Sequence, residues 1–174
     1  MAGANKLFGG APVMATHLQV GDAAPDFELA TDSGAIFRLS EHRGHPVILY
    51  FYPEDDTEGC TVEAIEFSAV VADFAAIPAT VIGVSPDPVE KHCKFRDKHD
   101  LTVTLAADPD LVVSRAYGVW GEKKTFGHAH IGIHRTSFLI APDGTIAGIY
   151  PVRRIKGHAV AMLEAARTLA RTCS

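Results

Sequence analysis

The segment 47-VILYFYPEDDTEGCTVEAIEF-67 combines a strand, an acidic turn and the start of a helix. Its first six residues form a continuous apolar run rich in β-branched and aromatic side chains, which is typical of a strand covered on both faces. Pro53 ends that run, and large apolar residues recur at helical spacing from Thr61 to Ile77. Cys60 is therefore predicted to lie just after a central strand, in the first turn of the helix that follows.

The rest of the chain alternates between strands and helices in the same way. The predicted elements are a hairpin at 26–39, strand 80–84, helix 87–100, strand 102–106, helix 110–117, a hairpin at 136–150 and helix 157–171. Asp87 is expected to cap its helix, with Pro88 at the first helical position. The pattern predicts one α/β domain over residues 18–174, in which helices flank both faces of a mixed central β-sheet and an N-terminal β-hairpin is added.

Length, composition and charge are those of an ordinary globular protein. The chain has 174 residues, of which 47% are hydrophobic and 21% charged, which is sufficient for one domain with its own core. A net charge of −5 without any Lys/Arg run argues against nucleic acid and membrane surfaces as partners. Residues 1–17 contain two adjacent glycines and a proline, and they are expected to form a disordered tail rather than a signal peptide.

The cysteines indicate the redox compartment. Cys60, Cys93 and Cys173 are odd in number and have no short-range pair, which argues against a secreted disulfide framework. A reducing, cytoplasmic location with one or two working thiols is therefore expected. Three histidines between residues 128 and 134 could share a strand face, but no carboxylate or thiol spacing completes a known metal site. Neither a metal nor another cofactor is expected.

The position of Cys60 leaves two roles open, a buried structural cysteine and a reactive thiol. Unpaired N–H groups and the positive end of the helix dipole favour a thiolate in a first helical turn. Sites in α/β proteins also gather at the carboxyl ends of strands. The acidic residues at 54–58 would oppose ionisation only if they pointed inward, and they are expected to form a solvated outer face.

The spacing Pro53-x-x-x-Thr57-x-x-Cys60 resembles the active-site signature of the peroxiredoxins. Thr57 stands where thioredoxin-type motifs carry their first cysteine. Because a hydroxyl cannot form a disulfide, the motif argues against dithiol exchange at this turn. The wider runs FYPEDDTEGCTVEA, VGDAAPDFEL, GVSPDPVEKHCKF, AYGVWGEK and RTSFLIAPDGTI are similar to the peroxiredoxin Q, or bacterioferritin-comigratory, subfamily. The resemblance implies a thioredoxin-like fold and reduction of hydrogen peroxide and organic hydroperoxides, with thioredoxin or a similar thiol as reductant.

The resemblance also implies a role for each residue of the site. Cys60 would be the peroxidatic nucleophile and would become a sulfenic acid. Thr57 would hydrogen-bond the peroxide, and Pro53 would shield the pocket from water. Arg135 matches the family arginine, whose permanent charge would favour the thiolate and stabilise charge developing on the peroxide oxygens. Glu63 matches a position that can orient this arginine.

Two mechanisms stay open for resolution of the sulfenic acid. Many members of the subfamily carry a second cysteine five residues after the first, where this chain has Ile65. Another branch carries it in the helix after the next strand, at a place that aligns near Arg96, and Cys93 lies about one turn earlier on the same face. We expect Cys93 to resolve Cys60 as an intramolecular disulfide; the alternative is a one-cysteine peroxidase recycled by an external thiol. Cys173 is expected to be a bystander.

Two rival functions remain on the same fold. A thiol–disulfide reductase is disfavoured by the T-x-x-C motif. A non-catalytic thioredoxin-like binding module would have no need of the complete set Pro53, Thr57, Cys60 and Arg135. The chain is expected to be a monomer, with a dimer as the alternative.

Overall fold

The computed structural model describes residues 16–125 and 127–172. Its elements are β1 (Glu28–Ala30), β2 (Ile36–Arg38), a 3-10 helix (Leu39–His42), β3 (Val47–Phe51), α1 (Glu58–Ala76), β4 (Thr80–Ser85), α2 (Val89–His99), β5 (Thr104–Ala107), α3 (Val112–Ala116), β6 (Trp120–Thr125), β7 (His128–Ile133), β8 (Thr136–Ile140), β9 (Ile146–Pro151) and α4 (His158–Thr172). Most of the predicted tail, residues 1–15, and Cys173 lie outside the described residues. No helix in the described ranges is long and apolar enough to cross a membrane.

A five-stranded sheet in the order β5-β4-β3-β8-β9 forms the centre of the molecule. β3, β4 and β5 run parallel, whereas β8 is antiparallel to β3 and β9 is antiparallel to β8. The predicted mixed sheet is therefore confirmed. All residues of the central strand β3 are buried, which explains its unbroken apolar sequence. The N-terminal hairpin β1-β2 was expected, whereas the second antiparallel pair, β6-β7, was not.

Alternate residues of β3 enter two hydrophobic cores, one on each face of the sheet. Ile48 and Tyr50 pack among residues of α1, α2 and α4. Leu49 and Phe51 pack on the other face, among residues of α3 and the N-terminal hairpin. The ring of Tyr50 stacks on that of Phe67 in α1, with the centroids 4.4 Å apart. This period-2 division fixes α1, and with it Cys60, against one face of the sheet.

The helix starts differ from their sequence expectations. α1 begins at Glu58, with Thr57 as its N-cap residue, three residues before the apolar periodicity begins. α2 begins at Val89 with Pro88 as the N-cap residue, so the expectation that Asp87 caps this helix is wrong. The Asp87 carboxylate instead accepts hydrogen bonds from the Asp55 backbone N–H at 2.7 Å and from a serine hydroxyl of β4. The carboxylate thus binds one N–H that is distant in sequence and one nearby hydroxyl.

Candidate active site

Cys60 is the third residue of α1 and is 1% exposed. The helix starts after the turn that follows β3, and the Thr57 side chain makes no capping hydrogen bond to it. The first-turn N–H groups are therefore not neutralised by that hydroxyl, and they and the helix dipole place positive potential around the sulfur. The structure places Cys60 where the sequence predicted it.

Arg135 connects Cys60 to Glu63. Its Nη2 donates to the Cys60 Sγ at 3.2 Å, and its Nη1 donates to Glu63 Oε1 at 2.6 Å. Arg135 immediately precedes β8, whose first residue, Thr136, pairs with the last residue of β3, Phe51. Strand pairing thus brings the arginine beside the turn that carries the cysteine. Glu63 lies three residues after Cys60, on the same helix face.

Burial and charge shift the pKa values of the groups around this guanidinium. Burial lowers the pKa of Arg135, but attraction and hydrogen bonds to Glu63 and Cys60 outweigh burial and raise the pKa overall. Burial raises the pKa of Glu63 to about 7, against the opposing effect of Arg135. Burial, followed by repulsion from Arg135, lowers the pKa of His158 to about 4. At pH 7, therefore, Arg135 is charged, His158 is neutral and Glu63 is near its midpoint.

Thr57 and Pro53 lie on the solvent side of the cysteine. The exposed Thr57 hydroxyl donates to the carbonyl oxygen of Glu54 at 2.9 Å, so its oxygen can still accept a hydrogen bond from a ligand. Pro53 is partly buried and borders a cleft of about 400 Å³ that also includes Trp120 and Lys123. Pro53 and Thr57 thus lie in the turn between β3 and α1, and Cys60 follows in the first turn of that helix.

The acidic turn is only in part a solvated face. Glu54 and Asp56 are exposed and form ion pairs with lysines of α2. Asp55 instead points inward and is 2% exposed, so the expectation of a wholly solvated turn is wrong at this residue. Its carboxylate contacts His92 at 2.6 Å. The one buried carboxylate of the turn therefore has a basic partner of its own, away from Cys60.

Cys93 and Cys60 are both free thiols, and their sulfurs have different neighbours. The half-buried Cys93 donates to the carbonyl oxygen of Asp32 at 3.3 Å. Arg96 donates to the same oxygen at 2.7 Å, which confirms that positions 93 and 96 share one face of α2. The Cys60 sulfur, by contrast, accepts from Arg135. The sequence-predicted pair Cys60 and Cys93 is therefore not brought into contact.

Sequence reasoning missed Asp55 and His92. His92 is fully buried and, with Phe95, forms the buried face of α2. The spacing of three residues between them was a usable signal, because a polar residue on an apolar helix face needs a buried partner. Nothing local in the sequence identifies that partner, which lies 37 residues earlier.

Comparison with known proteins identifies the family to which the chain belongs. The AhpC/TSA family model matches residues 20–149. Peroxiredoxin Bcp of Bacillus subtilis is 41% identical over 147 residues, which cover 84% of this chain and 94% of that protein. Peroxiredoxin Q of Xanthomonas campestris superposes with a TM-score of 0.80 at 34% identity, covering 90% of this chain and 99% of the other. A cysteine-to-serine mutant of Xylella fastidiosa PrxQ gives a TM-score of 0.82 at 32% identity over 88% and 98%. The chain therefore belongs to the AhpC/TSA family, as a peroxidase of the peroxiredoxin Q/Bcp type with a thioredoxin-like fold.

Proposed function

We propose that this peroxidase reduces hydrogen peroxide and organic hydroperoxides through a sulfenic acid on Cys60. The observation that carries the proposal is the 3.2 Å contact from Arg135 Nη2 to the Cys60 sulfur. A guanidinium that donates to sulfur favours the thiolate, which is the nucleophilic form. The inclusion of organic hydroperoxides is supported by a similar protein, Xanthomonas campestris bacterioferritin comigratory protein, whose structure is described in terms of alkyl peroxide reduction.

In the proposed reaction the Cys60 thiolate attacks the terminal oxygen of the peroxide. An S–O bond forms as the O–O bond breaks, and the sulfur is oxidised by two electrons. The leaving oxygen takes up a proton and departs as water or as an alcohol. Thr57 accepts a hydrogen bond from the peroxide and so aligns it. Arg135 stabilises the negative charge that develops on the oxygens, and Pro53 keeps water from the sulfur.

We propose that Cys93 then resolves the sulfenic acid. Its thiolate attacks the Cys60 sulfur, and water leaves. Thioredoxin or a similar thiol reductant then reduces the disulfide. A reducing cytoplasm would supply such a reductant. A disulfide requires Cα atoms within about 7 Å. Because the two sulfurs have separate neighbours, the start of α1, the start of α2 or both must unwind locally before the bond can form.

The test is a peptide map after one equivalent of hydrogen peroxide. Under non-reducing conditions, the wild-type digest should contain a peptide pair joining Cys60 to Cys93. Cys93→Ser should accumulate sulfenic acid and lose thioredoxin-linked turnover, whereas Cys173→Ser, the matched control, should behave like the wild type. Normal cycling of Cys93→Ser with thioredoxin would instead support the one-cysteine mechanism.

A further inference from the structure

A buried carboxylate–histidine pair connects the turn before Cys60 to the helix that carries Cys93. The side chains of Asp55 and His92 are both 0% exposed, and Asp55 Oδ2 lies 2.6 Å from His92 Nδ1. Asp55 is two residues before the N-cap of α1, Thr57, and His92 immediately precedes Cys93. The pair therefore connects the two segments in which unwinding is proposed before the disulfide forms.

We propose that Asp55 and His92 are positioning residues that control the rate of the disulfide step. The pair holds the turn and α2 together while Cys60 reacts with peroxide, and its rupture allows Cys60 and Cys93 to approach. This inference rests on the proposed function, because it assigns the pair to the second half of that cycle. It adds two residues that do not touch the peroxide.

Each polar atom of the pair has a partner. Asp55 Oδ1 accepts from the Tyr52 hydroxyl at 2.6 Å, and His92 Nε2 lies 2.9 Å from the Ala106 carbonyl oxygen. The backbone N–H of Asp55 donates to Asp87 Oδ2 at 2.7 Å. Since Asp87 directly precedes the N-cap of α2, the turn is attached to this helix by two buried contacts, besides the exposed ion pairs of Glu54 and Asp56. Opening must break both buried contacts.

The protonation of the pair follows from its partners. A carbonyl oxygen only accepts, so His92 Nε2 must carry a hydrogen toward Ala106. The short Nδ1–Oδ2 contact then holds one hydrogen between the two side chains, so Asp55 and His92 are bonded to each other out of water. Separating them leaves polar groups unpaired in a low-dielectric interior, which is strongly unfavourable.

The strength of this pair matters because two reactions compete for the sulfenic acid. Disulfide formation requires opening, whereas a second peroxide can oxidise Cys60 to sulfinic acid without opening. A tight pair therefore slows resolution and lengthens exposure to the second peroxide. The first peroxide step does not require the pair to break, because the Cys60 sulfur is held by Arg135 on another side.

Asp55→Asn is the sharpest probe, because it can replace the carboxyl group and keep all hydrogen bonds. The amide nitrogen can donate to Nδ1 of a neutral His92, the amide oxygen can accept from Tyr52, and Nε2–H stays on the Ala106 carbonyl. Asp56→Asn is the matched control. This variant makes the same chemical change at the next residue and weakens only exposed ion pairs to α2, which solvent screens. Asp56 has a φ of 60°, which asparagine tolerates. His92→Gln is a second variant, which cannot become a cation.

The decisive measurement separates the two steps by rapid mixing with peroxide. A neutral amide–imidazole hydrogen bond is weaker than the short carboxyl–imidazole bond seen here, so Asp55→Asn should speed disulfide formation at least about fivefold. The peroxide step should change less than about twofold, and less sulfinic acid should form at high peroxide. His92→Gln should act in the same direction and Asp56→Asn should not. A disulfide rate like that of Asp56→Asn, or equal changes in both steps, would overturn the proposal.

Hydrogen exchange of the reduced protein tests the pair independently of the disulfide. Asp55→Asn should exchange amides faster than the wild type in residues 55–60 and 88–93. Unchanged exchange in both segments would overturn the role of the pair. If the wild type forms no Cys60–Cys93 disulfide, the proposed function fails at that step, while the exchange result still reports on the pair.

Discussion

At the scale of single residues, the site depends on how one guanidinium is shared. Glu63 Oε1 accepts a hydrogen bond from Arg135 Nη1 at 2.6 Å. This bond orients the planar guanidinium so that Nη2 points toward the Cys60 sulfur at 3.2 Å. A lysine carries the same charge but has no fixed fork with which to hold both partners. The charge beside the sulfur is thus permanent and fixed in direction.

Arg135→Ala should slow peroxide reduction by at least about tenfold, or about 1.4 kcal/mol of transition-state stabilisation. Without the guanidinium, the Cys60 sulfur loses its hydrogen-bond donor, and alkylation by iodoacetamide should slow as well. The rates of peroxide reduction and of alkylation for Arg135→Lys should lie between those of Arg135→Ala and the wild type. Arg115→Ala, at an exposed position on α3, is the control. Equal alkylation rates with and without Arg135 would exclude its electrostatic role.

Thr57→Val should slow the peroxide step while leaving alkylation of Cys60 nearly unchanged. Valine has the shape of threonine but cannot accept a hydrogen bond from the peroxide, and the hydroxyl makes no capping bond that α1 would lose. Thr61→Val is the control. Among the described residues, the Thr61 hydroxyl donates only to the carbonyl oxygen of Thr57, the N-cap residue of α1. The idea fails if Thr57→Val and Thr61→Val react with peroxide equally fast.

Glu63 should make stability depend on pH. Its pKa rises from 4.5 to about 7 on folding, so the folded state holds this proton more tightly than the unfolded state. The associated stabilisation is complete below pH 4.5 and is lost as the pH rises to 7, a difference of about 3 kcal/mol. Glu63→Gln stays neutral, so it should gain stability relative to the wild type by about that amount over this range.

Urea unfolding of the wild type and Glu63→Gln at pH 4.5, 6 and 7.5 tests this expectation. His158 has its pKa lowered to about 4, so its contribution changes in the opposite sense, increasing as the pH rises from 4 to 6.5. Because both proteins contain His158, that trend largely cancels in their difference. A difference that stays constant or reverses with pH would contradict the account.

At the scale of secondary-structure elements, the pairing of β3 with β4 and β8 builds the base of the site. A one-residue slip of β8 would turn its side chains to the other face and move Arg135 away from the turn. Tyr50 of β3 stacks on Phe67 of α1 and lies over Gly83 of β4. A Cβ at Gly83 would come within 2.5 Å of the Tyr50 ring, which is held on both sides.

Gly83→Ala should therefore destabilise the protein by about 1–3 kcal/mol, the usual cost of an overpacked core. Gly121→Ala in β6 is the matched control, because its added Cβ would meet its nearest neighbour, His134, at 3.9 Å. Urea unfolding of both variants measures the effect. Equal stability of the two variants would mean that Tyr50 moves easily, contrary to the packing described.

At the scale of the whole molecule, the fold keeps Cys60 and Cys93, the two thiols of the proposed disulfide, apart. The oxidised protein must therefore differ from the reduced one, with weaker amide protection around residues 57–65 and 88–96. Hydrogen exchange detected by mass spectrometry should show this loss, with the hairpin of β8 and β9 unchanged as an internal control. Equal protection of both segments in the two redox states would mean that the disulfide forms without unwinding.

Local patterns predicted most of the fold and the core of the site. The apolar run of β3, the helical spacing of α1 and the family motif sufficed to place Cys60, Glu63 and Arg135. The hairpin β6-β7 was missed because the Glu-Lys-Lys run of β6 interrupts any apolar pattern, although β7 alternates polar residues or glycine with Ala129, Ile131 and Ile133. Asp55 and His92 were missed for a different reason. Their pairing joins distant segments, and no local pattern encodes it.

In the proposed mechanism, peroxide oxidises the Cys60 thiolate. The most direct test is a single-turnover peroxide-consumption assay on Cys60→Ser, with Cys93→Ser as the control. Serine is nearly isosteric with cysteine, but its hydroxyl stays protonated at neutral pH. Cys60→Ser should therefore keep the wild-type circular dichroism and consume no peroxide, whereas Cys93→Ser should consume one equivalent at the wild-type rate. Appreciable peroxide consumption by folded Cys60→Ser would contradict the mechanism.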